Sequence, residues 1–221
     1  MKRPEIVAVF GPTHLGSEDL ARRWLDILLA PQGCTLNPYF APLELDADSG
    51  EYDAIDETLD LSGRSKLERR LSKHGGGLWS CRVPLGFANA DVYSAVFSSP
   101  PRVLPPQATL HLQIEPSITR FVEEQPETRA PFIAFLVKVA DEIGAPWFLA
   151  GLHLRMRALS SDDFLAGGGP DTQPYVAGWK PDTLDASPLL QRWAVPPDEV
   201  QHSVLGYSVV TRFPARKESR P

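Results

Sequence analysis

Cysteine is scarce in this chain of 221 residues, which excludes two kinds of stabilised small domain. Cys34 and Cys81 lie far apart, with no CxxC pair and no cluster of cysteine and histidine. A structural zinc site needs four suitably spaced ligands, and a disulfide framework needs several cysteine pairs. We therefore expect no metal at these positions, and we expect both cysteines to be small buried apolar residues.

Long apolar runs are also missing. No window approaches the roughly 18 uncharged apolar residues that a membrane-spanning helix needs. The first ten residues, MKRPEIVAVF, hold an apolar run of only five, from Ile6 to Phe10. That run is shorter than the apolar region of a secretory signal. These features predict a cytoplasmic protein without a membrane partner.

Positive charge is in deficit as well. The chain has 22 basic and 28 acidic residues, and its formal net charge is −6. Nucleic-acid binding depends on lysine and arginine side chains that neutralise phosphates. The balance therefore predicts that nucleic acid is not a partner.

Common catalytic and cofactor-binding motifs are absent. The sequence contains no GxSxG, no HExxH and no GxxxxGK[ST]. Its two glycine triplets, at 75–77 and 167–169, do not fit a turn between a strand and a helix, where a phosphate-binding loop lies. We predict a protein without catalytic residues and without a cofactor, and therefore not an enzyme.

Acidic residues are concentrated in one segment of the sequence. The segment Glu44–Asp60, which we predict to be a loop, holds eight acidic residues and no basic one, while the remainder of the chain is slightly positive. Such a segment would attract a basic partner by electrostatic steering. The predicted partner-binding residues in it are Asp46, Asp48, Glu51, Asp53, Asp56 and Glu57. An internal alternative stays open, because a predicted basic helix at 64–73 follows and could neutralise the segment.

The same segment gives a weaker prediction of cation binding. DADSGEYDAIDE, residues 46–57, resembles an EF-hand calcium loop, with Asp46, Asp48 and Glu57 at ligand positions. It departs from that pattern at the sixth position, where the sharp bend needs glycine and the chain has Glu51.

A turn near the beginning gives the only enzymatic alternative. FGPTHLGS, residues 10–17, follows a predicted strand and precedes a predicted helix. It resembles the HxGH turn of class I nucleotidyltransferases, in which two histidines contact phosphates. His14 matches the first histidine, but Ser17 replaces the second and is suited to cap the helix. His111, on the polar face of a predicted strand, is the other candidate for acid–base chemistry, and it would approach His153 if their two strands pair.

The periodicities predict an α+β fold with a mostly antiparallel sheet and helices on one face. Strands are predicted over 5–10, 34–40, 78–84, 92–98, 108–115, 147–156 and 203–213, and helices from residue 18 to about 30 and over 64–73, 132–143 and 189–193. The whole chain, 1–221, is predicted to be a single domain. Prolines 100, 101, 105 and 106 suggest a joint between two similar lobes, 1–100 and 107–213, followed by a frayed tail at 214–221.

The stretch 160–188 is rich in glycine, proline and aspartate, and we predict little regular structure there. Trp179 lies in this stretch. A large aromatic side chain in a loop is typical of an interface anchor, so Trp179 joins the predicted partner-binding residues. The alternative is that it packs beneath its own loop.

The layout of the second half resembles a known family. A strand containing HLQIEP, an aromatic helix PFIAFLVKVADEIGA and a strand WFLAGLHLRM follow one another in an acidic α+β chain. This layout is similar to that of the immunity proteins of type VI secretion and other polymorphic toxin systems, specifically immunity protein 52. The resemblance implies a cytoplasmic, non-enzymatic inhibitor that binds a cognate toxin domain, expected to be basic, and occludes its active site. It covers about 100 residues and carries no individual functional residue.

Overall fold

The computed structural model describes most of the chain. The described residues are 6–15, 17–29, 35–45, 52–54, 59–60, 64–66, 68–69, 76–84, 89–97, 107–114, 126–152, 154, 159–168 and 173–213. Of the strands between residues 35 and 114 the structure describes the backbone and its pairing. Among the described residues, no helix has both the length and the apolar character needed to cross a bilayer.

One antiparallel sheet organises the described residues. Its strands are β1 Ile6–Phe10, β2 Thr35–Leu45, β3 Tyr52–Ala54, β4 Leu59–Asp60, β5 Gly76–Pro84, β6 Asn89–Phe97, β7 Gln107–Ile114, β8 Trp147–Leu152, β9 Gln173–Trp179, β10 Gln201–His202 and β11 Ser208–Thr211. Their spatial order is β10-β11-β9-β8-β1-β7-β6-β5-β2-β3, and β4 pairs with β2.

The first strand occupies the middle of this sheet. Val7 of β1 lies opposite His111 of β7 on one side and Gly151 of β8 on the other. All five residues of β1 are buried, so both of its faces are covered. A strand buried on both faces reads as a continuous apolar run, which is the pattern IVAVF.

Two long helices cover one face of the sheet. They are α1, Ser17–Leu29, and α2, Arg129–Glu142, which follows a 3₁₀ turn at Pro126–Thr128. Trp24 of α1 and Phe132 of α2 are fully buried in one apolar cluster with Ile6, Ala8 and Phe10. We call this cluster the α1–α2 core.

Two short helices cover the opposite face. They are α3, Ser161–Leu165, and α4, Ser187–Trp193. Phe164 of α3 and Leu189 of α4 pack with Val7 and Val9, the residues that alternate with the three strand residues of the α1–α2 core. We call this second cluster the α3–α4 core.

The α+β class and the antiparallel sheet predicted from the sequence are confirmed. The prediction of helices on one face holds for α1 and α2, whereas α3 and α4 lie on the other. Helices are needed on both faces because β1 is apolar on both faces. Its side chains point alternately to the two faces, all five are apolar and buried, and each face therefore needs an apolar layer against it.

Three local predictions are wrong. The stretch 160–188 contains α3, β9 and the beginning of α4, and the predicted final strand is a hairpin of β10 and β11. The acidic segment is not a simple loop, because β2 extends to Leu45 and pairs with β3. In the stretch 160–188 and in the acidic segment, tertiary contacts override the local signal of glycine, proline or acidic residues. In the last case the local signal is obeyed, because a turn at Gly206 divides the predicted strand in two.

Two further predictions fall outside the described residues. They are the proline-rich joint at 100–106 and the tail at 214–221. The division into two lobes therefore stays a prediction.

Candidate functional site

Thr13 makes the hydrogen bonds that hold the turn FGPTHLGS in place. Its side chain is buried, and Oγ1 donates a hydrogen bond of 2.5 Å to the carbonyl of Ile143, 130 positions away. The same oxygen accepts from the backbone N–H of Leu15 at 3.1 Å. His14 is exposed. The turn therefore attaches the end of β1 to the end of α2. Helix α1 begins at Ser17, whose side chain lies outside the described residues, so its capping role stays a prediction.

The carboxyl end of α2 is held by groups from four parts of the chain. Besides Thr13, Arg23 Nη1 donates to the carbonyl of Glu142 at 3.0 Å, and the Tyr207 hydroxyl donates to that of Ala145 at 2.5 Å. Lys180 Nζ lies 3.1 Å from Asp141 Oδ1. Thr13, Arg23 and Tyr207 satisfy carbonyls at and just after the helix end, whereas Lys180 pairs with a carboxylate. The two cations oppose the negative end of the helix dipole.

Among the described groups, Tyr207 has the pKa that departs most from its ordinary value. Burial, assisted by the negative charge of Asp141, raises the pKa of its phenol well above the usual value. The ring is fully buried, and Lys180 Nζ lies 5.0 Å from its centroid. A phenol that keeps its proton remains a donor, so this group is suited to holding the Ala145 carbonyl.

The histidines predicted as an enzymatic alternative do not come together in the described structure. His14 lies in the exposed turn. His111 lies in β7 opposite Val7, and His153 lies outside the described residues. The suggested pairing of their strands is wrong, because β1 lies between β7 and β8.

The acidic segment can be placed only in part. Asp46, Asp48, Glu51, Asp56 and Glu57 lie outside the described residues, and Asp53 lies in β3 with its backbone opposite Glu44. An EF-hand loop lies between helices, whereas residues 46–57 lie between β2 and β4 and include β3, so an EF-hand arrangement is wrong. In the part of the chain that the structure describes, no group of three His, Cys, Asp or Glu could hold a metal ion.

The predicted basic helix at 64–73 is helical at 64–66 and 68–69. Its described ion pairs are made with α1: Arg64 pairs with Asp26, and Glu68 pairs with Arg22 at 3.4 Å. These contacts place the segment beside α1. Pairing with the acidic segment stays a prediction.

Trp179 is a core residue rather than a loop anchor. It ends β9, opposite Trp147 of β8, and only 5% of its surface is exposed within the α3–α4 core. The prediction that Trp179 lies in a loop is wrong, because residues 173–179 form an inner strand. A partner cannot reach this indole without opening that core.

A groove of about 460 Å³ is the clearest candidate for a functional site. It runs between the first half of α2 and the hairpin of β10 and β11. The apolar residues of its helix wall are Ala130, Ile133, Ala134 and Val137. The apolar residues of its hairpin wall are Val204, Leu205, Val209 and Phe213. We call this site the α2–hairpin groove.

The hairpin turn presents apolar side chains to solvent. Val204 is fully exposed and Leu205 is 41% exposed, and among the described residues they are the two large apolar side chains classed as exposed. The turn is nevertheless well held. Gly206 N–H donates to the Ser203 carbonyl at 3.1 Å, and Ser203 N–H donates to the Tyr207 carbonyl at 2.8 Å. Gly206 has a φ of +80°, as expected at the end of a three-residue hairpin loop.

The charge of the groove differs from that of the chain. Among the described residues that line it, two are basic, Arg129 and His202, and none is Asp or Glu, in a protein of net charge −6. The Arg129 guanidinium lies over the Phe213 ring, 4.7 Å from its centroid. His202 Nδ1 lies 3.1 Å from Ser208 Oγ across the hairpin.

The sequence contains two signals for this groove, one in α2 and one in the hairpin turn. Helix α2 is apolar on nearly every side, and its exposed positions include Ala130 and Ala134. A soluble helix normally turns charged residues outward. The turn SVLGY likewise places two aliphatic residues where turns are usually polar. Together these two exceptions indicate apolar surface on α2 and on the hairpin turn. Only the fold shows that the two surfaces face each other.

The comparisons with known proteins do not identify the chain. No family model matches it. No curated protein matches its sequence. Among solved structures, a type VI secretion system (T6SS) protein of Pseudomonas aeruginosa is similar over 96% of this chain, with 13% sequence identity and a TM-score of 0.43. The chain spans 65% of the length of that protein. The likeness is distant.

Proposed function

We propose that this protein is an immunity protein: a non-catalytic, stoichiometric inhibitor that binds a cognate bacterial toxin and occludes its active site. The observation that carries the binding role is the α2–hairpin groove with the exposed Val204 and Leu205 beside it. Contiguous exposed apolar surface in a soluble domain marks an interaction site. The family resemblance of the second half supplies the class of partner.

The geometry of the groove suits a protein partner. Its helix wall is formed by α2, whose carboxyl end is attached to Thr13, Arg23 and Tyr207. Its hairpin wall is braced by the hydrogen bonds of the turn at Ser203. A site whose walls are already ordered loses less conformational entropy on binding. Val204 would form a projecting contact, and the groove beside it would receive apolar side chains of the toxin.

The acidic segment would have a second role in the same complex. Its charges would speed the encounter with a basic region of the toxin, whereas the groove would hold the bound state. Reversing four charges within 46–57 should then lower the association rate and leave the dissociation rate nearly unchanged. Unchanged association rates would remove the segment from the interface.

The test is a protection assay with the toxin domain that the proposal expects the neighbouring gene to encode. The chain should restore growth of cells that express the domain and bind it at a one-to-one ratio in calorimetry. Val204→Asp should lose protection, because a carboxylate would enter an apolar contact. Gln191→Asp, at an exposed position of α4 on the other face, adds the same charge and should protect fully. If the chain neither binds nor protects, the proposed function is wrong; if Val204→Asp protects fully, the groove is not the contact surface.

A further inference from the structure

The outer edge of β11 is only partly covered where it borders the α2–hairpin groove. Strand β10 pairs with β11 at Ser208 and Val209, whereas β11 continues to Thr211, and Thr211 lines the groove. We infer that this edge receives an extended segment of the toxin, which adds a strand to the sheet by pairing with Thr211. This inference rests on the proposed function, because it describes how the partner of that function is held.

Two hydrogen bonds show in which direction the backbone groups of Thr211 lie. In an antiparallel sheet, successive residues of a strand bond alternately to the neighbours on its two sides. Arg212 N–H donates to the Tyr175 carbonyl of β9 at 2.7 Å. On the hairpin side, Ser203 N–H donates to the Tyr207 carbonyl at 2.8 Å. Both bonds therefore place the N–H and C=O of Thr211 on the hairpin side, away from β9.

The chain on the hairpin side does not reach Thr211 as a strand. Strand β10 would have to extend back by two residues to lie opposite it. Instead, Pro197–Glu199 forms a 3₁₀ turn, in which Glu199 N–H donates to the Pro196 carbonyl at 3.0 Å. Val200 packs against the α3–α4 core, so the chain leaves this edge toward the other face of the sheet. Among the described residues, the N–H and C=O of Thr211 have no backbone partner.

These two groups decide the form of the occupant. A helix bonds its own backbone, and a helix lying in the groove would cover the N–H and C=O of Thr211 without pairing them. An extended segment offers a C=O and an N–H at the spacing of a strand and satisfies both groups. A second copy of this chain fits less well, because its own β10 covers β11 as far as Val209 and leaves it little edge to offer.

The side chains of the added segment follow from the register. Thr211 shares a face of β11 with Val209, which belongs to the α1–α2 core. A residue paired with Thr211 would lie on that face, and so would the residues two positions away. This face borders the groove wall that contains Ile133 and Ala134. The segment should therefore have apolar residues at alternate positions.

Hydrogen exchange of individual amides, measured by NMR on the full chain, tests the pairing directly. In the free protein, Thr211 N–H should exchange rapidly, whereas Arg212 N–H, which is bonded to β9, should exchange slowly. In the complex with the toxin domain, exchange of Thr211 N–H should slow by at least about tenfold. Exchange of Arg212 N–H should change by less, because that amide is already bonded.

Peptides selected from a random phage library on the folded full chain test the form of the occupant. Each selected peptide is methylated at one backbone nitrogen at a time, and its affinity is measured by fluorescence anisotropy. An added strand uses every second N–H, so methylation should abolish binding at alternate positions and have little effect between them. A bound helix would lose affinity at successive positions, because each interior N–H is bonded within the helix.

Thr211→Pro removes the N–H from the side of the protein. Proline is tolerated in a strand where its nitrogen faces away from the ladder, so this change spares the bonds to β9. It should weaken peptide and toxin binding by at least about tenfold. Thr211→Ala keeps the N–H and should bind within about twofold of the wild type. Circular dichroism shows whether both variants fold, and methylation of the peptides tests the same bond if the proline variant does not.

Four results would overturn the inference: no selected peptide, no alternation in the methylated series, an unprotected Thr211 amide in the complex, or equal binding by folded Thr211→Pro and Thr211→Ala. Sedimentation that shows a dimer dissociated by Thr211→Pro would make a second copy the occupant and overturn it too. A toxin that is neutralised, and lost in Val204→Asp, without protection of Thr211 would refute the inference and leave the proposed function standing. Peptides that bind in alternation, with no toxin bound or neutralised, would leave a strand-binding edge and refute the proposed function.

Discussion

The hydroxyl of Thr13 and the carbonyl of Ile143 join two ends that are far apart in sequence, at a distance of 2.5 Å. Thr13 follows the central strand, and Ile143 closes α2, the helix that forms one wall of the groove. The neighbouring Gly144 adopts a φ of +67° and lets the chain leave the helix there. The position of the groove wall therefore depends on a residue in a turn whose histidine first suggested catalysis.

Removing this hydroxyl should destabilise the protein. Thr13→Val keeps the shape but leaves a buried carbonyl without its partner, which costs about 1–3 kcal/mol in the free energy of unfolding. Thr13→Ser keeps the donor and should cost less. Urea unfolding measures both. His14→Ala, at the exposed neighbouring position, should lie within about 0.5 kcal/mol of the wild type. If Thr13→Val matched His14→Ala, the hydrogen bond would contribute nothing measurable.

Tyr207 should make stability depend on alkaline pH. Its raised pKa means that the folded state keeps a proton that the unfolded state releases above about pH 10. Its contribution is complete below that pH, and it falls by up to about 1.4 kcal/mol per pH unit as the pH rises toward the folded pKa.

The measurement is urea unfolding of the wild type and Tyr207→Phe between pH 8 and pH 11. At pH 8 the variant should be less stable by about 1–3 kcal/mol, because the Ala145 carbonyl loses its donor. The difference should shrink above about pH 10, since the phenylalanine has no proton to release. A difference that stays constant across this range would show that the phenol titrates equally in both states.

Gly178 should tolerate no side chain. A Cβ there would overlap the ring of Phe148, the residue opposite it in the pairing of β8 and β9. Gly178→Ala should therefore destabilise the protein by several kcal/mol, in the range of overpacked cores. Phe148→Leu removes the ring, so the double variant should be more stable than the sum of the two changes predicts. Strict additivity would argue against the overlap.

The cap of α3 offers a smaller test. Ser160 Oγ accepts from the N–H of Asp163 at 3.1 Å, and Asp163 Oδ2 accepts from the N–H of Ser160 at 2.8 Å. Ser160→Ala should lower the free energy of unfolding by about 1 kcal/mol. Ser161→Ala, at the first helical position, should lower it little. Thermal unfolding followed by circular dichroism compares the two, and equal effects would contradict the cap.

Much of the secondary structure could be predicted, because its signals are local. The run IVAVF forms β1, and the helix predicted over 132–143 is confirmed as α2, with Phe132, Leu136, Val139 and Ile143 buried at helical spacing. Strand β9 was not predicted. It contains Pro174 and Gly178, which weaken a strand pattern. Gly178 is present because Phe148 packs against it, and that contact is formed only in the folded sheet.

The groove could not be predicted, because its walls lie some 70 residues apart and meet only when the sheet is assembled. Periodicity indicates which face of an element is apolar, but it does not identify the neighbour. The exposed Ala130 and Ala134 and the turn at Val204 were each visible as exceptions. Their proximity depends on the position of β11 beside β9, which places the hairpin near α2.

The central place of β1 also has a consequence on the ribosome. Phe10 pairs with Phe148 and Ile6 pairs with Leu112, so β1 acquires its first neighbour about a hundred residues later in translation and its second neighbour later still. At roughly 5–20 residues per second, its apolar side chains wait on the order of ten seconds for the sheet to close around them. During that interval the nascent chain exposes the apolar IVAVF segment, a surface of the kind that chaperones protect from aggregation.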